Sequence, residues 1–243
     1  MECINLGALS VEERCARIAR FGIGEIEYDA FVHLVMNCPG GCMRGVNRAD
    51  PLLRPAGGFR MPSKVMFVLE QPSLLDHREH GCLAVSQEDF PGRAPDTRAL
   101  SLYGICNTLG FSHKDIFICN SLLCWQFTDM PDWQRSWQPC LSQGWLYRAI
   151  ELCVPELIVT FGARALRAAN YVLGGPPGEP VLGDHIDHPV TRHGIHIWPL
   201  LHEESLVDPG YPSAWQWESC KRLREFMSER GISVVPRALD GTG

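Results

Sequence analysis

PELIVTFGARAL, Pro155 to Leu166, is the stretch on which the fold turns. It leaves a turn-forming proline, runs through apolar and β-branched residues to Gly162, and passes without a linker into an alanine-rich segment. The pattern predicts a buried strand over Pro155–Gly162 followed directly by a helix over Ala163–Leu173. The same pattern recurs on either side. KVMFVL (Lys64–Leu69) is a short apolar run bounded by turn residues, DIFICN (Asp115–Asn120) is a second strand, and GIHIWPLL (Gly194–Leu201) is a fourth. Helical spacing covers Leu100–Leu109, which ends at Gly110, a segment from about Leu141 to Val154, and the charged amphipathic stretch Ala214–Arg230. GGPPGEP is a turn-rich connector. Alternating strand and helix predicts a three-layer α/β/α fold with a central four-stranded parallel sheet and helices on both faces.

Upstream, residues 11–36 mix charged and apolar positions at helical spacing. Residues 37–62 form a long loop rich in Gly, Pro and Arg, a length that points to function. The 243 residues are expected to form a single domain. Its parts are N-terminal helices and a loop over 1–62, a core over 63–206, and a C-terminal helix and tail over 207–243. No run of about 18 or more uncharged apolar residues occurs, so no membrane span is expected. The N-terminal residues carry early acids and lack the apolar stretch of a secretory signal.

Eleven cysteines, an odd number scattered through the chain, do not read as a disulfide framework; a reducing cytoplasm with metal-bound thiolates fits better. Lys and Arg number 22 against 28 Asp and Glu, a net charge of −6, which counts against a non-specific nucleic-acid coat. A local basic face remains open, because arginines recur through Arg44–Arg60 and basic residues cluster again at Lys221–Arg230. Four of the cysteines come as two pairs. Cys38 and Cys42 lie in CPGGC, and Cys124 and Cys140 are separated by fifteen residues. Four thiolates so paired can enclose a tetrahedral zinc or an iron–sulfur cluster.

Ligands of open parallel sheets bind at the carboxyl ends of the strands, so polar residues there are the first candidates. Glu70 follows the first strand, within LEQPS. Asn120 ends the second, and His202 follows the fourth, within LLHEESL. Singly, each is what a chain does on meeting solvent. A carboxylate, an amide and an imidazole at one sheet edge, beside paired thiols, point instead to a site.

These residues, in this order, resemble the uracil-DNA glycosylase superfamily, particularly its iron–sulfur branch (families four and five). Leu69-Glu70-Gln71-Pro72-Ser73 stands where that branch carries a motif resembling GEAPG; the glutamate and proline match, the glycines and alanine do not. Phe90-Pro91-Gly92-Arg93-Ala94 resembles the branch's phenylalanine followed by a Gly-Arg-Ala run. Asn120 precedes Cys124 by four residues, as the family's asparagine precedes a cluster cysteine, and the gap to Cys140 also fits. PELIVTFGARAL looks like the family's third strand and helix, and His202 falls where an HPS-type loop opens. The resemblance covers about residues 38–206 in order and spacing.

It implies a monofunctional DNA glycosylase that flips out a uracil or modified pyrimidine and hydrolyses its N-glycosidic bond, leaving an abasic site. By the same resemblance Glu70 and His202 are the catalytic residues. Glu70 would stabilise the sugar cation or position water, and His202 would donate a hydrogen bond to the departing base. Phe90 would stack on the flipped ring, worth about 1–3 kcal/mol; Asn120 would hydrogen-bond the pyrimidine edge, with Gln71 beside the base. An amide offers donor and acceptor together, so it suits uracil or, flipped, cytosine. Leu206 would enter the duplex as an apolar wedge. Cys38, Cys42, Cys124 and Cys140 would hold a 4Fe–4S cluster, with zinc the second choice. The other seven cysteines, including Cys82, Cys119 and Cys153, are expected to be small apolar residues. The partner is DNA, the chain a cytoplasmic monomer.

Departures from the motifs suggest a second enzymatic reading. Leu69 and Gln71 replace small residues, and Glu203 and Glu204 replace the proline and serine after the histidine. Rewriting of this kind fits excision of a bulky modified cytosine from phage DNA, a defence activity. Two readings come from other classes. Asp184, His185, Asp187 and His188, with His193 and His196, suggest a metal-dependent hydrolase, although Pro189 and nearby glycines mark a loop. Trp125, Trp133, Trp137 and Trp145 suggest stacking surfaces of a cluster-stabilised single-stranded nucleic-acid binding module without catalysis.

Overall fold

Five consecutive apolar residues, VMFVL, have no exposed face, and they form strand β1 (Val65–Leu69) with every side chain buried. That is the signature of a strand covered on both sides. The computed structural model describes residues 63–70, 97–112, 115–122, 144–176, 180–201 and 213–234. After β1 come helix α1 (Thr97–Leu109), strand β2 (Phe117–Asn120) and helix α2 (Trp145–Cys153). Strand β3 (Leu157–Phe161) runs straight into helix α3 (Gly162–Val172). A single turn of helix, α4 (Leu182–His185), then precedes strands β4 (Val190–Arg192) and β5 (Ile195–Leu200) and the closing helix α5 (Ser213–Glu229).

The sheet has the order β2-β1-β3-β5-β4. The four expected strands are all parallel, with Leu69 opposite Asn120, Val68 opposite Thr160 and Phe161 opposite Leu200. Alternation divides their side chains between two cores. Met66, Val68, Cys119 and Ile158 meet α2 and α3 on one face. Val65, Phe67, Leu69, Val159 and Phe161 meet α1 and α5 on the other, where the Phe67 ring lies 5.1 Å from that of Phe161. Helices therefore cover both faces, the three-layer α/β/α arrangement that the alternation predicts.

The sheet has a fifth strand, however. The segment expected to be a loop around Pro189 supplies β4, which pairs antiparallel with β5. The two strands are joined by His193 (φ 50°) and Gly194 (φ 78°), the left-handed pair that a tight two-residue hairpin demands. His-Gly was the available signal, and a proline just before a short edge strand is a tolerated position. No described helix is long and apolar enough to cross a membrane.

Chain order reverses at β1: the chain moves from β1 outward to β2, then returns to the other side of β1 to form β3. Crevices that bind ligands open at such switch points, beyond the carboxyl ends of the strands. Here that is the gap between the ends of β1 and β3.

Candidate active site

Glu70 is the first residue past β1, and its carboxylate crosses that gap to the start of α3. Its Oε1 accepts a hydrogen bond from the Arg164 backbone N–H at 3.2 Å, and its Oε2 lies 3.6 Å from the Arg164 guanidinium. The free N–H groups of a helix's first turn and the helix dipole both favour an anion there. Gly162 makes the approach possible. It sits at φ +86°, and a Cβ built on it would fall 2.5 Å from Glu70 Oε1. Any side chain at 162 would displace the carboxylate and strain the backbone together. Glu70 itself is mostly buried, at 16 % exposure, whereas Arg164 reaches solvent at 40 %. The ion pair is therefore half-solvated and weak, about 1 kcal/mol or less. The backbone bond and the glycine notch fix the position.

The β2 end is tied to the same place. Ser121 Oγ donates to the Glu70 carbonyl at 2.7 Å, and the Leu122 N–H donates to it at 3.0 Å. The Ser121 N–H donates to the Leu69 carbonyl at 2.7 Å. Asn120 is thereby held one register step from Glu70. Its side chain is wholly buried, and among the described residues neither Oδ1 nor Nδ2 has a hydrogen-bond partner. An amide so buried costs about 1–3 kcal/mol while unpaired. Such a group is relieved by an ordered water or by a bound ligand. Thr160 Oγ1, Trp198 Nε1 and Ser219 Oγ are buried in the same way among the described residues, and what distinguishes Asn120 is its place at the strand end beside Glu70. Leu69, its register partner, is fully buried within the core rather than open to the crevice.

Of the residues expected at the site, Glu70 and Asn120 are thus brought to one edge. Gln71, Phe90, His202, Leu206 and the cysteines Cys38, Cys42, Cys124 and Cys140 lie outside the described residues. The structure adds Gly162, Arg164 and Ser121, none of which the sequence reading singled out. A glycine between a strand and a helix was the signal for the first two, since such turns bring backbone N–H groups to an anion.

Cys106, Cys119, Cys153 and Cys220 are buried among apolar side chains. Burial pushes each thiol well above its usual range, Cys220 to about 12. For Cys119 and Cys153 this is the apolar role expected of them. The histidine-rich segment does not converge. Asp187 pairs with Arg222 at 2.7 Å, and His196 Nδ1 meets Thr191 Oγ1 at 2.9 Å. Among the described residues no group of His, Cys, Asp and Glu could hold a metal ion. Trp145 is partly buried and packs against the core under α2, so it is no free stacking surface.

Residues 57–223 match the family model described as the uracil DNA glycosylase superfamily. The chain belongs to that superfamily. Among solved structures, the chain is similar to the wild-type SMUG2 of Pedobacter heparinus. The two are 10 % identical over 70 % of this chain and 77 % of that one, with a TM-score of 0.40. No curated protein matches the chain at significant sequence similarity. Superfamily membership accounts for the α/β/α frame.

Proposed function

We propose that the protein is a monofunctional DNA glycosylase that extrudes a uracil or modified pyrimidine and hydrolyses its N-glycosidic bond, leaving an abasic site. The observation that carries this reading is the buried amide of Asn120, unpartnered among the described residues, beside the anchored carboxylate of Glu70. The first can pair with a group that both donates and accepts, as a pyrimidine edge does. The second is a fixed negative charge where positive charge develops on the sugar as the bond breaks. Because its anchors come from α3, Glu70 needs no rearrangement to act, either on the sugar cation or on the attacking water.

The remaining roles complete the site. His202 donates a hydrogen bond to the leaving base, Phe90 stacks on it, Gln71 lies beside it, and Leu206 fills the gap left in the duplex. Cys38, Cys42, Cys124 and Cys140 form the set for a 4Fe–4S cluster. Four thiolates are the donor set that such a cluster takes, and the four described cysteines, buried and protonated, do not compete for it. The cluster's part is structural, tying the N-terminal loop to the segment after Asn120.

A second reading, excision of a bulky modified cytosine, has one supporting observation. No described neighbour fixes which way the Asn120 amide faces, and the flipped amide suits cytosine. Base release by mass spectrometry from pooled duplexes carrying uracil, hypoxanthine, 5-hydroxymethylcytosine and its glucosylated form separates the two. Uracil release supports repair, and release of modified cytosines without uracil supports defence. Glu70→Gln should lower the single-turnover rate on the released base by about 10²-fold or more. No release from any substrate would sink the enzymatic reading and favour a binding module, whereas full base release by Glu70→Gln would remove Glu70 from the catalytic step.

A further inference from the structure

Strand β5 outruns one of its neighbours. On the β4 side its last register pair is Ile197 with Val190, so among the described residues the backbone beyond has no strand partner on that edge. At Leu201, the residue just past β5, a side chain takes that place. Gln216, from the first turn of α5, is 2 % exposed. Its Oε1 accepts from the Leu201 N–H at 3.0 Å, and its Nε2 donates to the Leu201 carbonyl at 3.0 Å. One carboxamide thus satisfies both backbone groups of a single residue, as a neighbouring strand would.

The two bonds fix the peptide planes on either side of Leu201, and the second of these carries the chain into His202. The clamp is itself rigidly mounted. Trp217, the next residue of α5, lies over Gly104 of α1 so closely that a Cβ there would come 2.7 Å from the indole ring. Helix α5 therefore cannot slide along α1 without losing that seat, and Gln216 is held at one height against the sheet.

We propose that Gln216 is a positioning residue for the reaction, setting the direction in which the chain leaves β5 and hence where the His202 imidazole meets the leaving base. The proposal rests on the reading of His202 as the group that stabilises that base. It assigns Gln216 no contact with DNA.

The test is a double-mutant cycle on single-turnover base release, with DNA affinity measured alongside. Gln216→Met keeps the length and removes both bonds. It should slow release by on the order of 10²-fold, the effect of about 1 Å of misplacement, and leave DNA affinity unchanged. In a His202→Ala background the same change should have no further effect. Equal losses with and without His202, or a loss in DNA affinity alone, overturn the proposal. An unaltered rate in His202→Ala overturns it too, and with it the assigned role of His202, while Glu70→Gln still reports on the glycosylase reading separately.

Gln216→Glu supplies an independent readout should the methionine variant fold poorly. An ionised carboxylate cannot donate to the Leu201 carbonyl, whereas a protonated one restores both bonds. The rate of Gln216→Glu relative to the parent chain should therefore rise as pH falls, burial keeping that carboxyl protonated well above its usual range. A ratio that does not change with pH counts against the clamp.

Discussion

Asn120 sits where a folding argument alone would put leucine: at the end of a buried strand, fully enclosed, with both amide atoms unpartnered among the described residues. Replacing it with leucine removes an unpaired polar group and keeps the branched shape and heavy-atom count, with methyls somewhat bulkier than the amide. Asn120→Leu should therefore stabilise the fold by about 1–3 kcal/mol. In a chain of this size each kcal/mol raises the melting midpoint by about 2–4 °C. The same variant should lose base release. A midpoint that falls would mean that the amide is satisfied in the free protein and is not held open for a ligand. Both Glu70 and Asn120 were legible from the sequence, because strand ends can be read from apolar runs that stop at a polar residue. Gly162 and Arg164 were not. Their part depends on which helix start lies beside β1, and that follows from strand order, which periodicity does not encode.

At the scale of elements, α2 ends on Val154 at φ 51°, a left-handed cap whose N–H reaches the Ile150 carbonyl at 2.9 Å. A β-branched residue pays about 1–2 kcal/mol for that conformation, while glycine loses about 0.5–1 kcal/mol of chain entropy. Val154→Gly should thus raise stability by up to about 1 kcal/mol, read as a small upward shift of the denaturant midpoint at constant slope. A downward shift would show that the valine's packing outweighs its strain. The β4–β5 hairpin carries a pH-dependent term. Burial, then the charge of Arg230, lowers the His196 pKa below its ordinary 6.5, against a smaller opposing effect of Glu156. Below 6.5 the unfolded chain takes up a proton that the folded chain resists, so this contribution is intact above 6.5 and is lost as pH falls through the lowered value. His196→Gln should consequently show a shallower fall in melting midpoint on acidification than the parent chain. Equal slopes would remove His196 from the account. The hairpin itself escaped the sequence reading because β4 has only three residues, too few to show a period of two.

For the whole molecule, the sequence-derived frame of four parallel strands and flanking helices holds, and the fifth strand extends it without changing the order of the rest. Net charge sets how the molecule meets its substrate. With −6 overall, a DNA glycosylase of this composition is expected to make few and local contacts to DNA phosphates. The logarithm of affinity should fall with the logarithm of salt concentration at a slope shallower than about −4, fewer than about five neutralised phosphates. A steeper slope, measured by fluorescence anisotropy on an abasic-analogue duplex, would reveal a concentrated basic surface and a more extensive grip on the backbone.

The strand order also divides labour. Glu70 follows an interior strand, hydrogen-bonded to neighbours on both sides, whereas Asn120 ends β2, which in the described sheet pairs with β1 alone. A strand supported on one flank opens at lower free energy than one clasped on two. Amides of β2 should exchange with solvent sooner than those of β1, and a bound base should slow them. Under the proposed glycosylase reading, changes that retune which base is read would accumulate at the rim of the sheet, while the Glu70 carboxylate stays fixed at its centre.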